Sequence, residues 1–164
     1  MKSCLLLILL LLFFSGCSST TTLSPTPTDT ATRVPPTADQ SGVKWIEVVL
    51  AEQMAYLWQG DQLWASLPIS SGVGDSAATT TYPGEFKIES MYRGPEPTAP
   101  GVYVRDVVIF DWEHGNGFHS LPMDAKRKIL DPTIGRPASA GCIRVAESAS
   151  LYGFAELGMK VVIR

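Results

Sequence analysis

Pro137-Ala138-Ser139-Ala140-Gly141-Cys142-Ile143-Arg144-Val145 lies near the C-terminal end of a chain of 164 residues. Small side chains crowd the approach to one thiol. Gly141 permits a sharp main-chain turn immediately before it, and a guanidinium follows two positions later. Such a setting suits a reachable sulfur with backbone N–H groups beside it and a cation that lowers its pKa. The competing use of the position is a buried cysteine that packs as a small apolar residue.

Cysteine usage adds weight to the chemical reading. The chain has three cysteines, Cys4, Cys17 and Cys142. Met1-Lys2-Ser3-Cys4 precedes an unbroken apolar run over residues 5–14, and Ser15-Gly16-Cys17 follows. An early positive charge, a short apolar stretch and a small-residue exit are the parts of an export signal. A membrane-crossing helix needs about 20 apolar residues, so this run is too short for one. A buried helix would interrupt its apolar run with polar positions, which this one does not. Phe14-Ser15-Gly16-Cys17 resembles a bacterial lipobox, with Phe14 where Leu is usual; this implies lipid attachment at Cys17, with plain signal cleavage as the alternative. Residues 18–42 are Ser, Thr and Pro with few large apolar side chains, which cannot bury a core and read as an extended linker. The expected organisation is a signal peptide over 1–16, a disordered linker over 17–42 and one globular domain over 43–164. Cys142 is then the one thiol left in the exported domain, with no partner for a disulfide.

Composition excludes several classes. With 13 Lys+Arg against 16 Asp+Glu the net charge is −3, the opposite of the basic face that nucleic acid requires. The 45% hydrophobic content is ordinary for a packed domain and argues against wholesale disorder. The globular part reads as mainly strand. Residues 45–50 are β-branched and aromatic, 54–58 and 63–69 form a hairpin around Gly60, and 85–88 follow a Pro83-Gly84 turn. Residues 93–101, rich in Pro and Gly, read as a long surface loop. Residues 107–110 and 160–163 are short strands, and 146–157 give one short helix.

Both histidines of the chain fall in Glu113-His114-Gly115-Asn116-Gly117-Phe118-His119-Ser120, after a buried strand where loops often carry catalytic groups. A cysteine nucleophile needs a base, and imidazole has the right unperturbed pKa. Zinc is a competing use of His114, His119 and Cys142, but no Cys-x-x-Cys or His-Glu-x-x-His spacing is present, so neither a metal nor a cofactor is expected. Trp45, Trp58, Trp64 and Trp112 read as core rather than as a sugar platform. Lys126-Arg127-Lys128 reads as a solvated loop, with contact to anionic wall polymer as the alternative.

Ser139-Ala140-Gly141-Cys142-Ile143-Arg144 resembles the signature of L,D-transpeptidase (YkuD-type) catalytic domains, in which Ser/Thr-His-Gly-Cys precedes an apolar residue and Arg or Asn. Ser71-Gly72 through Pro83-Gly84-Glu85-Phe86-Lys87-Ile88, Gly117-Phe118-His119-Ser120 and Gly158-Met159-Lys160-Val161-Val162-Ile163 are similar to other family segments and fall in family order. The resemblance implies a single β-sandwich-like domain. It also implies a Cys142 nucleophile, His119 as base with His114 as the alternative, and oxyanion or supporting roles for Gly141, Ser139 and Arg144. The implied reaction forms a thioester with a peptidoglycan stem peptide and passes it to an amine, giving a cross-link, or to water, giving carboxypeptidase action. A monomer is expected, exported and held to the membrane by its lipid, facing the cell wall. Ala140 stands where the family carries His. That departure motivates the alternative, a lipid-anchored wall-binding module with little or no activity.

Overall fold

The computed structural model describes residues 42–164. The expected signal peptide, Cys17 and all but the last residue of the linker lie outside the described residues. In chain order the strands are β1 (Lys44–Val49), β2 (Met54–Gln59), β3 (Gln62–Ser70), β4 (Gly84–Lys87), β5 (Ser90–Tyr92), β6 (Glu96–Ala99), β7 (Val102–Val104), β8 (Val107–Asp111), β9 (Asn116–His119) and β10 (Ile143–Val145). Helix α1 (Ser148–Phe154) and strand β11 (Lys160–Ile163) complete the domain.

Nine strands form one sheet in the order β4-β11-β1-β2-β3-β10-β9-β8-β5. β1 lies inside it, parallel to β11 and antiparallel to β2. Five of its six residues are buried, Glu47 among them, as in a strand covered on both faces. Strands distant in the pairing order meet across the core: Phe86 of β4 touches Phe110 of β8 edge-on at 5.4 Å, and Phe110 lies 4.9 Å from Phe118 of β9. The sheet therefore bends over on itself, as the sandwich-like expectation requires. Ile46, Val48, Leu57 and Ile69 from one half pack with Phe110, Phe118, Ile143 and Val145 from the other in a single cluster.

Of the four tryptophans read as core only Trp45 and Trp58 are buried, Trp64 and Trp112 being more than half exposed, and three segment readings also need correction. Residues 93–101 are not simply loop, because Glu96–Ala99 pairs with Val102–Val104 as a separate two-stranded sheet. Pro97 is tolerated there because a two-stranded ribbon is all edge, where a missing N–H costs no interior hydrogen bond. The glycine-rich histidine segment ends in a strand, since Asn116–His119 pairs on one side with β8 and on the other with β10. Helix α1 is shorter than residues 146–157 and keeps only Leu151 and Phe154 as large buried side chains.

Phe110 is 1% exposed and joins both halves of the core. Phe110→Ala is expected to cost about 3–5 kcal/mol in urea unfolding. Trp112→Ala, two residues on but 55% exposed, is expected to stay within about 0.5 kcal/mol of wild type.

Candidate active site

The segment leading to Cys142 is laid against the end of β3 by backbone hydrogen bonds. Gly135 N–H donates to Ile69 O at 2.8 Å, Ala138 and Ser139 N–H both reach Ser71 O, and Val73 N–H donates to Ser139 O at 3.0 Å. The buried Ser70 hydroxyl donates to Arg136 O at 2.6 Å. Gln53, held at φ 53°, accepts Ser71 N–H at 2.9 Å and donates to both Ser71 Oγ and Leu50 O. A buried Gln amide with both ends satisfied fixes this strand end firmly.

The chain then turns through Gly141, at φ 105°. A β-carbon there would stand 2.5 Å from Asn116 Oδ1; one on Gly72 would stand 2.1 Å from Thr79 O and 2.9 Å from Gly141 Cα. Two segments thus pass at a distance that glycine alone permits. Thr81 lies between them, accepting Gly72 N–H at 2.9 Å and donating to Gly141 O at 2.6 Å. Asn116 donates to Thr80 O at 3.0 Å, and the Ser139 hydroxyl donates to Cys142 O, closing the turn. In a planar trans peptide C=O and N–H point opposite ways, so fixing Gly141 O also fixes the direction of the Cys142 N–H.

β9 and β10 run parallel with Phe118 opposite Ile143 and His119 opposite Arg144. Phe118, Ile143 and Val145 are buried in the core. Alternation therefore puts Gly117, His119 and Arg144 on the other face, and the Cys142 thiol, one residue before β10, meets the backbone of Gly115 and Gly117 beside them. His119 Nδ1 lies 2.6 Å from Ser120 O. A carbonyl can only accept, so Nδ1 carries the proton and Nε2 keeps its lone pair. Burial pushes the His119 pKa down; the Ser120 bond opposes this and the Arg144 charge adds to it. The Cys142 thiol donates weakly to Gly115 O at 3.6 Å. Burial pushes its pKa up, and the Gly117 N–H partly offsets this. The resting pair is a neutral thiol and a neutral imidazole.

That outcome corrects the expectation that a cation two residues on lowers the thiol pKa. Arg144 Nη1 instead bonds Asp131 Oδ2 at 2.5 Å. The hydroxyl and N–H of Thr133, and then Arg144, hold the Asp131 carboxyl well below the usual carboxylate range. The guanidinium thus anchors the segment that carries the cysteine. His114 also has a fixed partner. Its Nδ1 lies 2.9 Å from Oδ2 of the buried Asp111, and its ring stacks on Tyr82 at 4.0 Å. It shapes the turn that brings Gly115 O to the thiol. Among the described residues, no group of three or more His, Cys, Asp or Glu side chains is placed to hold a metal ion.

Sequence reading missed Thr81, Asn116, Asp111 and Asp131. Thr81 ends a run of three threonines and Asn116 stands inside the histidine segment, but nothing local signals partners so distant in the chain.

The family model of the L,D-transpeptidase catalytic domain (YkuD) matches residues 43–163. A Bacillus subtilis (strain 168) protein, YciB, provisionally named an L,D-transpeptidase, is 33% identical over 106 residues, which cover 62% of this chain and 54% of that protein. The chain thus matches about half the length of this curated relative. The catalytic domain of an Enterococcus faecium L,D-transpeptidase superposes with a TM-score of 0.57 at 21% identity, covering 77% of this chain and 100% of that one. An L,D-transpeptidase from Xylanimonas cellulosilytica gives 0.58 at 22% identity, covering 79% and 64%.

Because burial holds the thiol protonated at neutral pH, iodoacetamide labelling of Cys142 is expected to be slow at pH 7. Its rate should rise only at alkaline pH, with a midpoint above that of an exposed cysteine. A rate already at its plateau near pH 7, followed by intact mass, would mean that the imidazole holds the thiol proton in the resting protein.

Proposed function

Since the chain belongs to the L,D-transpeptidase catalytic domain family, we propose that it is a cell-wall acyltransferase with Cys142 as nucleophile and His119 as base. The observation that carries this reading is that the Cys142 thiol lies against the backbone of Gly115 and Gly117 at the start of the strand that carries His119, with His119 Nδ1 committed to Ser120 O. That leaves Nε2 as the basic nitrogen. It accepts the thiol proton while Sγ attacks the carbonyl carbon of an amide in a peptidoglycan stem peptide. The carbonyl oxygen becomes an oxyanion, for which the fixed Cys142 N–H and the turn at Gly141 supply the donors. Collapse breaks the C–N bond, and the imidazolium returns its proton to the departing amine, leaving a thioester on Cys142. An incoming amine gives up a proton to His119 and takes the acyl group, which forms a cross-link. Water in the same role yields carboxypeptidase action.

Arg144 acts in this scheme by holding Asp131, and Ser139 by closing the turn onto Cys142 O. Ala140 is exposed, so the family's imidazole at that position leaves no buried polar group unpaired by its absence. This supports the enzyme over the inactive wall-binding module.

On a stem tetrapeptide, followed by mass spectrometry, Cys142→Ala is expected to abolish turnover. His119→Ala should lower kcat by about 10²–10⁴-fold, whereas His114→Ala should cost far less. A His114→Ala loss as large as that of His119→Ala would reverse the base assignment.

Export and lipid attachment at Cys17 are part of the same proposal and are supported by the signal and linker pattern. A single acyl chain binds membranes only marginally, so a stable anchor takes a second signal such as a further acyl chain. Cys17→Ala is expected to move the protein from the membrane fraction to the soluble one on immunoblots of fractionated cells. Unchanged membrane association would remove Cys17 as the anchor.

A further inference from the structure

A cleft of about 500 Å³ opens between the β6–β7 hairpin and the turn at residues 123–127, lined by Arg93, Pro95, Tyr103, Arg105, Met123 and Arg127. A second hollow of about 340 Å³ shares the wall made by Arg105, Met123 and Arg127, and reaches Leu121, Ala146 and Ala149. Leu121 lies two residues past the end of β9, which ends in His119, and Ala146 follows directly on the end of β10. At about 3.3 Å per residue, Ala146 lies at most about 13 Å along the chain from Cys142. An extended peptide of about four residues covers that distance.

The guanidinium groups here are held ready. Buried Asp106 accepts Arg93 Nη1 at 3.0 Å and faces Arg105 Nε at 3.4 Å; its second oxygen also accepts the Ser148 hydroxyl at 2.9 Å. One carboxylate thus orders two arginines without cancelling both. Asp124 also lines the cleft, but its Oδ1 accepts Lys126 N–H at 2.8 Å and Lys128 N–H at 2.9 Å, which shapes the turn. Arg127, at the turn's apex, is held at φ 67°. No acidic partner reaches it among the described residues. With Lys126 and Lys128 beside it, the patch is cationic in a chain of net charge −3.

Resting on the transpeptidase reading, we infer that this arginine cleft is a subsite that receives a carboxylate of the stem peptide acylated at Cys142. The planar guanidinium fork matches a carboxylate edge. Arg144, the cation nearest the thiol in sequence, is committed to Asp131 and unavailable for the task. Met123, Tyr103 and Pro95 give the cleft an apolar lining, which suits a peptide better than a hydrated phosphate polymer.

The test uses the full-length protein in detergent and two stem tetrapeptides that differ only in having free or amidated carboxyl groups. Wild type is expected to favour the free carboxylate by about tenfold in kcat/KM, the effect of one charge-assisted hydrogen bond. Arg127→Ala should bring that ratio to about one, mostly through KM, and Arg127→Lys should restore part of it. An unchanged ratio in Arg127→Ala overturns the subsite while leaving the transpeptidase reading intact. Calorimetry on a Cys142→Ala protein separates binding from turnover. A carboxylate preference there that is lost on adding Arg127→Ala supports the subsite even if wild type turns over neither peptide, an outcome that would sink the enzyme reading alone. Polyglycerol phosphate binding more tightly than the stem, and depending on Arg127, would overturn the subsite in favour of anionic wall polymer.

Discussion

The main chain at Gly72 passes the main chain at Gly141 so closely that a β-carbon on Gly72 would lie 2.9 Å from Gly141 Cα. Three segments converge on that crossing: the end of β3, the Thr79–Thr81 stretch that follows it and, 60 residues on, the approach to Cys142. Thr81 ties all three through one hydroxyl, accepting from Gly72 N–H and donating to Gly141 O. The peptide before the nucleophile is thereby oriented by tertiary contacts rather than by local propensity. A hydroxyl that satisfies one donor and one acceptor in a buried place is expensive to lose, because both partners would be left unpaired. Beneath it, buried residues such as Ile69, Phe118 and Ile143 form a core that does not yield. The site owes its rigidity to strand ends standing on that core.

Electrostatics around the crossing follow from which polar and charged side chains are already committed. Arg144 meets Asp131, His114 meets Asp111, and Arg93 and Arg105 share Asp106. Each pairing sets a loop: the segment before the cysteine, the turn carrying Gly115, and the base of the β6–β7 hairpin. The two groups at the site that make no ion pair are Cys142 and His119, both driven toward their neutral forms by burial. Charge thus serves as scaffolding around a neutral reacting pair.

The sequence carried much of this in plain view, and the reasons differ by element. Strand periodicity and a glycine turn placed β1, β2 and β3, because those strands present β-branched and aromatic residues to a core. The Gly141-Cys142 elbow was legible because the order of residue types there is specific. The short β6–β7 ribbon was not, since its prolines and glycines carry the composition of a loop. The behaviour of Arg144 was hidden for another reason. Proximity in sequence suggested that it serves the thiol two residues away, but alternate strand residues face the same way without needing to touch. Its partner lies 13 residues upstream. Thr81 was invisible because its role consists wholly of contacts to Gly72 and Gly141.

A thiol kept neutral by burial does not weaken the case for nucleophilic attack in the proposed reaction. Intrinsic nucleophilicity of a thiolate rises with its pKa, with a Brønsted slope of about 0.4–0.5, so a less populated thiolate attacks more strongly once formed. Proton transfer to His119 then belongs to the attack itself rather than to the resting state. The imidazole must be unprotonated beforehand, and burial secures that form. The thiolate, rather than the thiol, is also the form that oxidants take first, so a neutral cysteine is better protected between turnovers. The substrate carbonyl supplies what the resting site lacks, an acceptor for the sulfur lone pair next to a base ready to take its proton. Reactivity is then confined to the occupied site.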